Sequence, residues 1–165
     1  MSTSTEVATT QVYRVWIKAT PEQIWEAITS PEWAARYGYG GNVSYELEPG
    51  GKFAVGASPE FKAAGAPDVI VDGEVIEADP PRRLVQTWRM LMDPDMAAEG
   101  FTRLTYDIAE TPYGTRLTVT HELENAPKLA AMVAGTHEDQ GAGGGWAWVL
   151  SDMKSLIETG KGFAG

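Results

Sequence analysis

WAWVLSDMKSLIET, residues 146–159, is the stretch that decides the fold. Trp146, Val149, Leu150, Met153, Leu156 and Ile157 recur at helical spacing, while Ser151, Asp152, Lys154, Ser155 and Glu158 fall opposite. The spacing predicts an amphipathic helix from Trp146 to Thr159 with one face to bury. Fourteen residues make a rod about 21 Å long, enough to cross a small sheet. Trp148 heads a stripe continued by Asp152, Ser155 and Thr159 and is expected on the exposed side.

What this helix covers is written upstream. Val12 to Ala19 alternates, with Tyr13, Val15 and Ile17 on one face and Arg14, Trp16 and Lys18 on the other, so it predicts a strand. Thr20-Pro21-Glu22-Gln23 is a helix start: Thr20 caps, Pro21 suits the first helical position and Gln23 completes a capping box. A second start follows at Ser30-Pro31-Glu32, so two short helices interrupt the sheet after its first strand. Val43–Glu48 and Lys52–Gly56 then flank the hairpin signal Pro49-Gly50-Gly51. After a loop near 57–67 come strands at Val69–Ala78, Leu84–Leu91, Thr102–Ala109 and Thr115–Leu123, about seven in all and joined mostly by short turns. Short turns favour antiparallel pairing. A short helix at Lys128–Ala134 and the loose run Gln140–Gly145, rich in glycine, lead into the final helix. The fold class expected is α+β, a curved antiparallel sheet wrapped on a long C-terminal helix. Residues 1–10 read as a disordered polar tail, and 11–160 as one domain.

Composition narrows the function. Thirteen basic residues against 23 acidic give a net charge of −10, which repels phosphate backbones and anionic lipid. Nucleic acid is therefore not an expected partner. No apolar run approaches the roughly 20 residues of a membrane helix, and the opening MSTSTEVATTQ lacks the apolar core of a signal peptide. A cytoplasmic location is expected. The chain has no Cys, which removes disulfides, thiolate metal sites and a thiol nucleophile. His137-Glu138-Asp139 lacks metal-motif spacing, and no nucleotide or nucleophile-elbow motif stands between a strand and a helix. Neither a metal nor a cofactor is expected.

Several motifs together resemble one superfamily. Ala19-Thr20-Pro21-Glu22-Gln23-Ile24-Trp25-Glu26-Ala27 followed by Pro31-Glu32 resembles the opening of the SRPBCC (START/birch-pollen-allergen-like) proteins. Pro49-Gly50-Gly51-Lys52-Phe53 is similar to a hairpin of the branch named after the activator of the heat-shock chaperone's ATPase. Gly73-Glu74-Val75, then Asp79-Pro80-Pro81-Arg82-Arg83-Leu84 to Trp88, then Gly114 to His121, then Gly145-Trp146 resemble the same branch in the same order. The resemblance spans residues 12–160 and implies a helix-grip fold, with Trp88 and Trp146 turned toward a cavity. Its members range over carriers, cyclases, hydroxylase subunits and chaperone-docking domains, so the resemblance speaks for fold and not for activity.

Strand parity supplies the candidate site. Gln86 shares a face with Leu84, Trp88 and Met90; Tyr106 with Leu104 and Ile108; His121 with Leu117, Val119 and Leu123. With Trp88, Trp146, Val149, Leu150 and Met153 as an apolar wall, Gln86, Tyr106 and His121 would be the polar contacts of a pocket for a small apolar or aromatic molecule. Carriage or sequestration of such a molecule is the first expectation. A cyclase- or hydrolase-like enzyme using His121 as acid and base is the second. A chaperone-docking module is the third, and a homodimer is compatible with any of them.

Overall fold

Thr10–Ile17 (β1) alternates as predicted, with Gln11, Tyr13, Val15 and Ile17 turned inward and Arg14 and Trp16 exposed. The computed structural model describes residues 9–38, 41–136 and 145–163. The tail through Ala8, His137-Glu138-Asp139 and Gly141, Gly143 and Gly144 lie outside the described residues. Asn42–Tyr45 (β2), Lys52–Gly56 (β3), Val69–Asp79 (β4), Arg83–Met90 (β5), Thr102–Thr111 (β6) and Gly114–Glu122 (β7) complete the sheet. Its order is β1-β7-β6-β5-β4-β3-β2, antiparallel throughout. Strands β2 to β7 form a meander, and the chain crosses once from the β1 edge to the far edge. Register shifts at Val55/Gly56 and Val75/Glu77 are the places where an extra residue bends a strand.

The crossing is made by Pro21–Thr29 (α1) and Pro31–Ala34 (α2). The capping box at Thr20 is complete: its hydroxyl accepts from the Gln23 amide at 3.2 Å, and Gln23 Oε1 accepts from the Thr20 amide at 2.8 Å. The same polar-residue-then-proline device recurs twice where the sequence reads as loop. Ser58 caps Pro59–Ala63 (α3) and Asp93 caps Pro94–Ala98 (α4), and each side chain accepts from the amides that begin its helix. The predicted loop near 57–67 is thus corrected to a capped helical turn. Pro127–Val133 (α5) follows β7 close to where a helix is expected.

Gly145–Thr159 (α6) closes the concave side. Leu150 and Met153 join Ile17, Ile24, Leu84, Leu104 and Leu117 in a first buried cluster beneath it. A second cluster gathers Phe53, Val71, Met90, Leu123 and Leu129 under α5. Gly145 begins the helix at φ 72°, and a Cβ there would stand 2.2 Å from the Val133 carbonyl oxygen, so α5 and α6 meet through a glycine. Further along, Lys154 Nζ donates to the Trp16 carbonyl at 2.8 Å and Glu158 accepts from the Lys18 amide at 2.8 Å, fastening α6 to β1.

Two expectations for this helix are corrected. Asp152 is not on a solvated face; it is 0% exposed. Its carboxylate accepts from the Gly38 amide at 2.8 Å and from the Phe163 amide at 2.7 Å. Trp148 is half-buried and meets Phe163 edge to face at 5.9 Å. The residues after α6 fold back over it, bringing a backbone amide to Asp152 and a ring to Trp148. Replacing Asp152 by Ala strands two amides at once, and loss of such partners costs about 1–3 kcal/mol each. Urea unfolding is expected to show Asp152→Ala destabilised by about 3 kcal/mol, against less than about 0.5 kcal/mol for the exposed neighbour Ser151→Ala.

Candidate functional site

Parity along β5, β6 and β7 turns the three polar candidates inward, as the sequence predicts. Gln86 and His121 are 0% exposed and Tyr106 is 8% exposed. Leu150 and Met153 are buried below them, while Trp88, Trp146 and Val149 are half-buried. Val149 stands at the rim, where a Cβ on Gly38 would meet it at 3.4 Å. Leu150, Met153 and Tyr106 belong to one buried cluster, and four of the candidates meet ring to ring. Trp88 meets His121 edge-on at 5.4 Å, His121 meets Trp146 at 6.0 Å, and Trp146 meets Tyr106 at 6.2 Å.

A chain of hydrogen bonds fixes the state of His121. Trp146 Nε1–H, which can only donate, points at His121 Nδ1 at 3.1 Å. Nδ1 must therefore be the acceptor, which places the ring proton on Nε2. Nε2–H then donates to Thr102 Oγ1 at 2.7 Å, and the Thr102 hydroxyl donates to the Trp88 carbonyl at 2.8 Å. Both His121 nitrogens and the Thr102 hydroxyl hydrogen are used, and every member is neutral. Burial pushes the ring's pKa down from 6.5 to about 3, because nothing charged nearby compensates the lost solvation. Both ring nitrogens are engaged by protein groups and burial disfavours the protonated ring, so nothing in this arrangement favours acid/base work by His121.

A second polar group lies beside the first. Tyr45 shares the inward face of β2 with Val43, and its hydroxyl donates to Gln86 Oε1 at 2.6 Å. Tyr37, just past α2, donates to the Ala27 carbonyl at 2.8 Å. Burial raises the pKa of the Tyr37, Tyr45 and Tyr106 phenols, and Tyr106 opposes ionisation of the other two, so the three share one neighbourhood. Thr102, Tyr37 and Tyr45 are absent from the sequence-based candidates. Tyr45 was legible by parity with Val43; Tyr37 lies beyond a helix end, where no periodicity applies.

Tyr45, Trp88 and Trp146 each touch both core clusters, so they stand at the junction between them. Two shallow grooves also mark the outer face of the sheet, about 300 and 420 Å³ in volume. Both include Arg103 and Glu122, which already pair at 3.6 Å, and the first reaches Thr102, the outer end of the row. Among the described residues no cluster of His, Asp and Glu could hold a metal ion, and no helix is long and apolar enough to cross a membrane.

A family model described as Activator of Hsp90 ATPase homolog 1-like protein matches residues 18–158. The chain belongs to that family. None of the curated proteins matches it. Among solved structures it is similar to protein MLL2253 from Mesorhizobium loti, at 21% identity and a TM-score of 0.63 over 90% of this chain and 96% of that one. CalU16 from Micromonospora echinospora is 21% identical, with a TM-score of 0.57 over 79% of this chain and 69% of its own. The Aha1 dimer from Colwellia psychrerythraea is 19% identical, with a TM-score of 0.64 over 94% and 100%. At these identities the likeness is one of fold.

A His whose folded pKa lies below its unfolded value contributes stability that is complete above about pH 6.5 and lost as pH falls toward 3. One proton is taken up on unfolding across that window. The stability of wild type relative to His121→Gln, which cannot titrate, is expected to fall by about 1.4 kcal/mol per pH unit from about pH 6 to about pH 4. Denaturant unfolding at stepped pH measures it, and a flat difference would mean that the folded ring takes up the proton.

Proposed function

We propose that residues 11–160 act as a binding domain for a small, mainly apolar or aromatic molecule held between the sheet and α6. One observation carries this reading. Tyr37, Tyr45, Trp88 and Trp146 stay half-buried over a floor in which Leu84, Leu104 and Leu117 are 0% exposed. Large rings placed at the junction of two core clusters yet not closed over present apolar surface that a flat ligand can cover. Trp88, Trp146, Val149, Leu150 and Met153 form its wall in this proposal, and Gln86, Tyr106 and His121 its polar contacts, with His121 acting through Trp146.

The enzymatic alternative depended on a proton-exchanging His121, and the bonds on both ring nitrogens remove its support. The docking alternative rests on the family's name alone. The dimeric relative from Colwellia psychrerythraea makes a second copy of this chain the first macromolecular partner to consider.

Titration with uncharged bicyclic aromatics is expected to change tryptophan fluorescence and raise the melting temperature together. A native-state ligand at a hundredfold excess over its Kd stabilises by about 2.7 kcal/mol. Trp146→Phe is expected to lose much of the fluorescence response, whereas Trp148→Phe keeps it. Equal loss in both variants, or no response to any such compound, would count against the pocket.

A further inference from the structure

We infer that the molecule this pocket takes carries a neutral oxygen, as a carbonyl or hydroxyl, received by the Tyr106 hydroxyl and the Gln86 amide. The inference rests on the proposed pocket and goes beyond it by naming the chemical class of the ligand. Its ground is an imbalance among the buried polar groups. His121, Thr102, Tyr37 and Tyr45 each have a partner at hydrogen-bond distance. Tyr106, 8% exposed, makes no hydrogen bond through its hydroxyl among the described residues.

Gln86 is only half-satisfied. Its Oε1 accepts from Tyr45 at 2.6 Å, but its Nε2 has just a long contact of 3.4 Å to the Thr87 carbonyl. One amide hydrogen is therefore left over. The register sets the two groups with spare donors on neighbouring positions. Gln86 faces Leu104 and Leu84 faces Tyr106, so Gln86 and Tyr106 are diagonal neighbours on the same face of β5 and β6. Diagonal pairs stand about 7–8 Å apart between backbones, within reach of long side chains. Two donors at neighbouring positions of one face suit a single acceptor atom. The rings of Trp88 and Trp146 lie alongside, and Trp146 touches Tyr106 directly.

The charge of the surroundings decides between a neutral oxygen and an anion. Among the described residues no Lys or Arg is buried, and the one buried carboxylate, Asp152, lies on the covering helix. His121 holds no proton to offer, since its Nε2–H is spent on Thr102. A carboxylate or phosphate placed here would lose its hydration against two neutral donors and no cation. A ketone, quinone or phenol oxygen loses far less.

Calorimetric titration of the 165-residue chain with three matched probes tests this: 2-acetylnaphthalene, 2-ethylnaphthalene and 2-naphthoate. The ketone is expected to bind about fivefold to tenfold more tightly than the hydrocarbon, the worth of one neutral hydrogen bond. The naphthoate is expected to bind at least about tenfold more weakly than the ketone. In Tyr106→Phe the preference for the ketone over the hydrocarbon is expected to shrink by about threefold or more, and an unchanged preference would overturn the anchor. If wild type binds the hydrocarbon but prefers neither oxygenated probe, or takes the carboxylate as well as the ketone, the polar anchor is overturned and the apolar pocket stands. If none of the three binds, the pocket itself is overturned. The wild-type comparison decides the matter even where the variant is unstable.

Discussion

The C-terminal helix can lie on this sheet only where its polar atoms are met, and two residues fix that placement. Trp146 brings an indole N–H that must find an acceptor when buried, and His121 provides it at 3.1 Å. Two turns later Asp152 brings a carboxylate that needs donors, and the Gly38 and Phe163 amides provide them. A slide of α6 by one residue would break both at once and leave each group buried without a partner. Apolar contacts are tolerant of such slides; buried polar atoms are not. Hydrophobic burial thus draws the helix onto the sheet, and these two points select its register.

The same constraint reaches outward. Gly38 can meet Asp152 because the chain leaves α2 at φ 61°, and Gly162 passes so close that a Cβ would stand 2.5 Å from Asp152 Oδ1. Glycine at these positions lets backbone approach a carboxylate without a side chain between. At the other end, Gly145 lets α6 start against the Val133 carbonyl. The helix is therefore gripped at its start and middle by backbone, and near its end by Lys154 and Glu158 on β1.

Most of the frame was legible in the sequence because local rules governed it. Alternation in β1 and β5 to β7 turned Ile17, Gln86, Tyr106 and His121 inward, and the capping box at Thr20 placed α1. The failures lie where a remote partner overrides a local rule. A helical wheel assigns Asp152 to solvent because Asp is polar, and only the fold brings it the amides of Gly38 and Phe163. Trp148 fails for the same reason, since Phe163 is what covers it. The helices at Pro59 and Pro94 were missed differently: Ser58 and Asp93 repeat the signal read at Thr20, but without an apolar periodicity behind it. Within the site, parity finds strand residues such as Gln86, whereas Tyr37 escapes it by standing past a helix end.

His121 and Tyr106 are both polar residues in an apolar interior, and their surroundings separate them. His121 spends both nitrogens on protein partners, so its polarity is explained by the register of α6 and needs no ligand. Tyr106 has a ring that packs as a phenylalanine would, plus an oxygen with no protein partner among the described residues. Phe at that position would keep the contact with Trp146 without an unpartnered oxygen. Gln86 repeats the pattern with one amide hydrogen unspent. Local departures from best stability are expected at functional positions rather than scattered through a core. Here the two departures are diagonal neighbours on one face, next to an aromatic row that touches both core clusters, and that coincidence is what a ligand with a polar atom explains and packing alone does not.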